Sequence, residues 1–154
     1  MGRWRQLRGV IQKGHRVASK RCLDPRFPEG TIQMQKPHFK KLGCDLDAYY
    51  PGTINLNIAP FRLRMIQGRF RFNNLRWSPD APPEDFSLAD CRILTEDGKT
   101  TSGLLYYPHP ETKPEHFQLP EVIEVITYHI EGVTYGKKLL LEIDSQQVEI
   151  YRAT

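Results

Sequence analysis

The stretch Ile54-Asn55-Leu56-Asn57-Ile58 alternates aliphatic and amide side chains over five positions. Successive side chains of a β-strand point to opposite faces, so the three aliphatic residues would share one face and both asparagines the other. The stretch therefore predicts a strand with one apolar and one polar face. It follows Tyr49-Tyr50-Pro51-Gly52-Thr53, in which Pro-Gly is typical of a tight turn.

Strand patterns recur along the rest of the chain. Val122–Ile126 has β-branched residues at four of five positions, which favours a strand over a helix. One short helix is predicted over Pro37–Gly43, with proline near its start and glycine just past its end. Loops are predicted at 24–30, 78–85, 96–99 and 107–120. The other predicted strands are Arg5–Ile11, Thr31–Gln35, Arg69–Phe72, Leu88–Leu94, Leu104–Tyr107, Lys138–Ile143 and Gln147–Tyr151. Many short strands between turns favour a closed or nearly closed β-barrel.

The composition predicts one globular domain over residues 1–154, since 39% of the residues are hydrophobic and 26% are charged. No apolar run approaches the roughly 20 residues of a membrane span, and the N-terminal stretch lacks the apolar segment of a signal peptide. Cys22, Cys44 and Cys91 are far apart, which favours reduced thiols and a cytoplasmic location.

The charge is divided unevenly along the chain. Residues 1–77 contain 16 Lys and Arg against 4 Asp and Glu, a net charge of +12, whereas residues 78–154 contain 6 against 14, a net charge of −8. A basic half suggests an anionic partner such as a nucleotide or a phosphate. Alternatively, the two halves neutralise each other within one fold.

Thr53 and Asn55 are the first candidate ligands. They lie two positions apart, so a strand would place their hydroxyl and amide groups on the same face. Such oxygens suit Mg²⁺, and the amide and hydroxyl groups can also donate to a phosphate. The alternative is an ordinary turn and strand whose asparagines face water.

A second candidate follows the first predicted strand. Small residues there would let backbone N–H groups approach a phosphate, and the cations beside them would neutralise it. The alternative is a solvated basic loop. The residues assigned to nucleotide or phosphate binding are Lys13, Gly14, Arg16, Ala18 and Ser19.

Three further parts of the chain contain residues with a possible role in binding. Glu124 lies in the middle of an apolar strand, where a carboxylate needs a ligand or a structural partner. Thr112 lies in a proline-stiffened loop that could cover a ligand. In Phe61–Trp77, five arginines alternate with aromatic residues; we expect Phe70 and Phe72 to face inwards and the arginines to face solvent, although such a surface could bind nucleic acid.

Taken in order, these segments resemble the archaeal CTP-dependent riboflavin kinase family. The resemblance runs from about Gly9 to Ile143 and is most specific at Pro51-Gly52-Thr53-Ile54-Asn55, with looser matches at Gly103–Pro108 and Glu121–Ile126. It implies a compact six-stranded cradle-loop barrel with one short helix, Mg²⁺, and phosphoryl transfer from a nucleoside triphosphate to a flavin. Thr53 and Asn55 match the magnesium ligands, Glu124 a carboxylate on the flavin side, and Thr112 a threonine there. Arg16 and Ala18 stand where the family's nucleotide loop has glycine.

Two functions from different classes follow. The first is a Mg²⁺-dependent small-molecule kinase, a phosphotransferase in which Glu124 orients or deprotonates the acceptor hydroxyl. The second is a non-catalytic barrel that binds a nucleotide or another phosphorylated metabolite. We expect a small anionic ligand as partner, no membrane association and no nucleic acid, while the sequence does not fix the oligomeric state.

Overall fold

The computed structural model describes residues 3–12, 31–95, 97–112, 119–130 and 133–152. In this part of the chain it contains one helix and nine strands. These are β1 Trp4–Gln12, α1 Thr31–Lys41, β2 Ile54–Asn57, β3 Phe61–Met65, β4 Phe70–Leu75, β5 Glu84–Leu94, β6 Thr100–Pro108, β7 Val122–Thr127, β8 Lys138–Asp144 and β9 Val148–Arg152. The helix described here is neither long enough nor apolar enough to span a bilayer.

Six strands close into an antiparallel barrel in the order β5-β6-β7-β2-β1-β8. The ring is completed by β8 pairing with β5, where Cys91 lies opposite Ile143 and Leu94 opposite Leu140. The first part of β5 instead pairs with β4, and β3 and β9 form a separate two-stranded sheet. The prediction of a mainly β, closed six-stranded barrel with one short helix is therefore confirmed.

The barrel interior is filled by alternate residues of its strands. Leu56 of β2 and Val125 of β7 have no exposed surface, and Ile123 joins them in the same cluster. Burial of such a side chain contributes roughly 1.5–3 kcal/mol. A register shift of one residue would turn the apolar set outwards, so this core fixes which residues face the outside of the barrel.

A second core forms between α1 and the outer face of β4, β5, β6 and β7. Phe39 of the helix is fully buried; it stacks on Phe72 at 5.2 Å between ring centroids and meets Phe86 edge-on at 5.3 Å. The helix is followed by Gly43 with a φ of +100°, a left-handed conformation that glycine adopts readily. The expected burial of Phe72 is confirmed, and Phe70 is half-buried beside it.

Several element boundaries differ from those expected. The strand predicted at Thr31–Gln35 is wrong, because these residues form the first half of α1. The strand β3 was not predicted, although Phe61, Leu63 and Met65 do alternate with arginines. Glu84 and Asp85, expected in a loop, begin β5.

The two oppositely charged halves interleave in the fold. Arg62 lies 2.7 Å from Glu121, and Arg64 lies 2.9 Å from Glu149 on the neighbouring strand. The other ion pairs between the halves that the described residues show are Arg3–Asp144, Arg69–Asp90 and Arg71–Asp85. Much of the basic charge in Phe61–Trp77 therefore faces acidic partners from the second half of the chain.

Candidate functional site

The segment Tyr49–Thr53 is held in place from two sides before β2 begins. The ammonium group of Lys36 on α1 donates to the Tyr49 carbonyl at 2.6 Å, and the Tyr50 amide donates to the Thr127 carbonyl at 3.0 Å. The Gly52 amide turns back to the Tyr50 carbonyl at 2.9 Å. These contacts fix the Pro-Gly turn between α1 and the end of β7, and so fix where Thr53 enters the sheet.

Thr53, Asn55 and Glu124 come together on the outer face of the barrel. The Thr53 hydroxyl donates to Glu124 Oε1 at 3.1 Å. Asn55 lies directly opposite Glu124 in the register of β2 with β7, and side chains of directly opposed residues share a face. Ile54 and Leu56 instead pack against the inner core. The Thr53 hydroxyl and the Glu124 carboxylate thus meet at one half-buried position, with Asn55 on the same face of the sheet.

A buried polar contact connects this group to α1. Tyr106 lies directly opposite Glu124 on the other side of β7, and its hydroxyl donates to Gln35 Oε1 at 2.7 Å. Burial, with the nearby Glu124 carboxylate as a smaller cause, raises the pKa of Tyr106 well above its usual value. Tyr106 therefore stays protonated and acts as a hydrogen-bond donor.

Among the described residues, Lys36 is a cation that lies beside this segment. Burial lowers the pKa of Lys36, while Asp47 and Asp45 act in the opposite direction. Its contact with the Tyr49 carbonyl satisfies one of its three donors. The Tyr49 ring in turn packs on Tyr128, with 4.7 Å between centroids, so α1 and β7 are joined through this segment.

These oxygen donors suit a hard cation whose coordination shell is completed by a bound ligand. A hydroxyl that donates its proton to a carboxylate keeps its lone pairs available, so Thr53 can bond Glu124 and still bind a cation. Within the described residues, no three His, Cys, Asp or Glu side chains form a metal-binding group. Mg²⁺ commonly binds through one or two carboxylates plus substrate phosphates, which matches a site with one carboxylate.

The remaining predicted site residues are Thr112 and the five residues assigned to nucleotide or phosphate binding. Lys13, Gly14, Arg16, Ala18 and Ser19 are outside the described residues, but Gln12, from which the chain enters this segment, lies opposite Asn55. Thr112 lies in a different group of side chains. Its hydroxyl accepts from the Asp85 amide at 2.8 Å and contacts the His109 carbonyl at 3.3 Å.

Sequence reasoning did not identify Gln35, Lys36 or Tyr106 as neighbours of this site. Gln35 was assigned to a strand and Lys36 to no element, whereas on α1 both are buried against the sheet. Both residues lie between the buried Ile32 and Phe39. The inner face of the helix therefore carries polar groups as well as apolar ones. Their contacts depend on α1 packing over β6 and β7, which no local pattern specifies.

Comparison with known proteins gives no family assignment. The amino-acid sequence matches no protein-family model. Nor does any curated protein match it at a significant level.

Proposed function

We propose that the chain binds a small phosphorylated ligand together with Mg²⁺ at Thr53, Asn55 and Glu124, and that it acts as a small-molecule phosphotransferase. The observation that carries this proposal is the 3.1 Å contact between Thr53 and Glu124, with Asn55 directly opposite the same carboxylate. The resemblance at Pro51–Asn55 to CTP-dependent riboflavin kinases supports the same reading.

Each residue has a role that its position allows. Thr53 and Asn55 would hold the cation through their oxygens, and bound Mg²⁺ would neutralise charge on the transferring phosphoryl group. Glu124, oriented by the Thr53 hydroxyl, would accept the proton of an acceptor hydroxyl. The cations Lys13 and Arg16 would offset phosphate charge from the segment that follows Gln12.

A non-catalytic binding protein is the second candidate. The specific observation in its favour is that Arg16 and Ala18 replace glycines of the family's nucleotide loop. Side chains at these positions would obstruct the close approach of backbone N–H groups to a phosphate. This candidate shares the Thr53–Asn55–Glu124 site and differs only in turnover.

The experiment is a thermal-shift screen with CTP, ATP, riboflavin and FMN, each with and without Mg²⁺. A ligand at 100 times its Kd should add about 2.7 kcal/mol of stability. We expect a Mg²⁺-dependent shift that is lost in Thr53→Val, Asn55→Ala and Glu124→Gln. Asn57→Ala is the matched control, because Asn57 lies on the same strand but bonds Gln12 and Ala59.

Two results would contradict the proposal: no nucleotide or flavin shifts the wild-type protein, or the three site variants bind as tightly as the wild type. Chromatography of riboflavin incubated with CTP or ATP then separates the two candidates. Formation of FMN supports the phosphotransferase, whereas Mg²⁺-dependent binding without product supports the binding protein.

A further inference from the structure

A second polar cluster lies where β4, β5 and β6 extend past the ring, at the end of β6. His109 is 8% exposed there, and its Nε2 lies 2.7 Å from the Ser87 hydroxyl and 3.3 Å from Arg71 Nη1. Ser87 is buried on β5, directly opposite Arg71 of β4 and Tyr107 of β6. None of these residues belongs to the site around Glu124.

The arrangement specifies the tautomer of His109. A guanidinium has no acceptor, so a hydrogen bond from Arg71 requires a lone pair on Nε2. The proton of the neutral ring is then on Nδ1, which faces the Glu111 carboxylate at 3.7 Å. In this neutral form, the single lone pair of Nε2 is shared between the Ser87 hydroxyl at 2.7 Å and the Arg71 guanidinium at 3.3 Å.

The same geometry argues against a catalytic serine. Ser87, His109 and Glu111 have the order of a nucleophile, a base and an orienting acid. However, Ser87 is 1% exposed and lies within a strand that is paired on both sides, so a substrate cannot reach its hydroxyl. Arg71 also lies within hydrogen-bond distance of His109 Nε2, the nitrogen that would accept the serine proton.

We propose that His109 is a pH-sensitive latch that holds the turn 109–112 against β4 and β5 in its neutral form and releases it when protonated. A proton on Nε2 would point at the Arg71 guanidinium, and two cations would face each other at a separation of 3.3 Å. Ser87 would have to accept instead of donate, and its own proton would need another acceptor in a buried position.

The charged groups around the ring decide the direction of the effect. Burial first, and Arg71 second, lower the pKa of His109, whereas Glu111 and Asp85 act in the opposite direction. Glu111 is largely exposed, so solvent screens it. The Tyr107 ring lies edge-on at 4.8 Å, and burial, with Glu111 and Tyr151 as smaller causes, raises its pKa, so Tyr107 stays neutral.

Hydrogen bonds of main-chain amides also hold this turn. The His109 amide donates to the Asp85 carbonyl at 2.9 Å, and the Asp85 amide donates to the Thr112 hydroxyl at 2.8 Å. The Thr112 amide closes the turn on the His109 carbonyl at 3.1 Å. These backbone contacts report directly on whether the turn is docked.

The sign of the pH dependence follows from the lowered pKa. The unfolded chain binds a proton at His109 more readily than the folded protein does. The latch is therefore complete above the usual histidine pKa of about 6.5, and it weakens as the pH falls below that value.

The experiment is amide hydrogen exchange at Asp85 and His109 between pH 7.5 and pH 5, corrected for the intrinsic pH dependence, alongside an NMR titration of the histidine rings. We expect wild-type protection at both amides to fall at least tenfold as His109 protonates. His109→Gln, whose amide oxygen can accept from the same donors at every pH, should show no such fall. Arg71→Gln should raise the pH at which the wild-type change occurs.

Arg71 is an exposed surface residue, so its variant tests the latch even if His109→Gln does not fold. The proposal is overturned if protection stays constant while His109 protonates. It is equally overturned if His109→Gln loses protection as the wild type does, or if Arg71→Gln leaves the transition pH unchanged.

Discussion

At the scale of single residues, the Thr53 hydroxyl bonds the Glu124 carboxylate, and a cation is its proposed second partner. Its proton goes to Glu124 at 3.1 Å, which both orients the carboxylate and leaves the hydroxyl lone pairs directed elsewhere. Asn55, two residues further along the chain, lies on the same face of the sheet as Glu124. A hydroxyl, an amide and a single carboxylate therefore share one face, without the charge repulsion of a multiple-carboxylate site.

The described cysteines allow a test at the same scale. Burial raises the pKa of Cys44 to about 11, and it raises the pKa of Cys91 further. Because the thiolate is the reactive form, both should resist alkylation in the native protein at pH 8. We expect iodoacetamide and peptide mass spectrometry to find both unmodified before denaturation and modified after it. Rapid labelling of Cys91 in the native protein would show that β5 does not pack as described.

At the scale of elements, α1 carries a proline in its interior. Pro37 is exposed at the seventh position of an 11-residue helix, where it lacks the N–H that would bond the Gln33 carbonyl. An interior proline costs a helix about 3 kcal/mol, partly offset by the restricted unfolded chain. We expect Pro37→Ala to raise the free energy of unfolding by about 1–2 kcal/mol in urea denaturation.

Gln33→Ala is the control for Pro37→Ala, since Gln33 is exposed on the same helix and should change stability by less than about 0.5 kcal/mol. If both substitutions change the free energy of unfolding equally, helix propensity, rather than the missing hydrogen bond, limits the stability of α1. A loss of stability in Pro37→Ala would mean that the proline itself is needed for the packing of α1 on β4 and β5.

The elements also show which parts of the fold the sequence specifies. The strands β1 and β2 were predicted within one residue of their observed ends. The helix α1 was half missed because its inner face carries Gln35 and Lys36 between Ile32 and Phe39, so no continuous apolar stripe marks it. Leu42, inside the predicted helix Pro37–Gly43, lies just past the end of α1 and is 54% exposed.

The candidate site was predictable only in part, for the same reason. Thr53 and Asn55 share a face because of a local rule, the alternation of a strand. That Glu124 lies opposite Asn55 depends on the pairing of β2 with β7, which are far apart in sequence. Thr112 is near Asp85 rather than this group, and nothing in its own loop sequence indicated that.

At the scale of the whole molecule, the barrel distributes its charge by interleaving the two halves. Exposed ion pairs each contribute about 0–1 kcal/mol, so a pair such as Arg64–Glu149, in which both side chains are exposed, is a weak source of stability. Their larger effect is on the surface field, because acids from the second half lie against arginines that would otherwise form a basic patch. Arg62, Arg64 and Arg69 each have such a partner within 3.3 Å.

This arrangement predicts weak binding to nucleic acid. Affinity for generic single strands comes from phosphate contacts with available cations and falls steeply with salt. We expect fluorescence anisotropy with a 20-nucleotide single strand to show little binding at about 0.15 M salt, where non-specific Kd values of binding proteins are about 10⁻⁴–10⁻⁶ M. The variant Glu121→Gln/Glu149→Gln releases Arg62 and Arg64 and should bind the strand measurably more tightly. This increase would show that the assay detects contacts between arginine and phosphate. Tight, strongly salt-dependent binding by the wild type, unchanged in that variant, would mean that other cations form a nucleic-acid surface and that pairing between the halves does not suppress it.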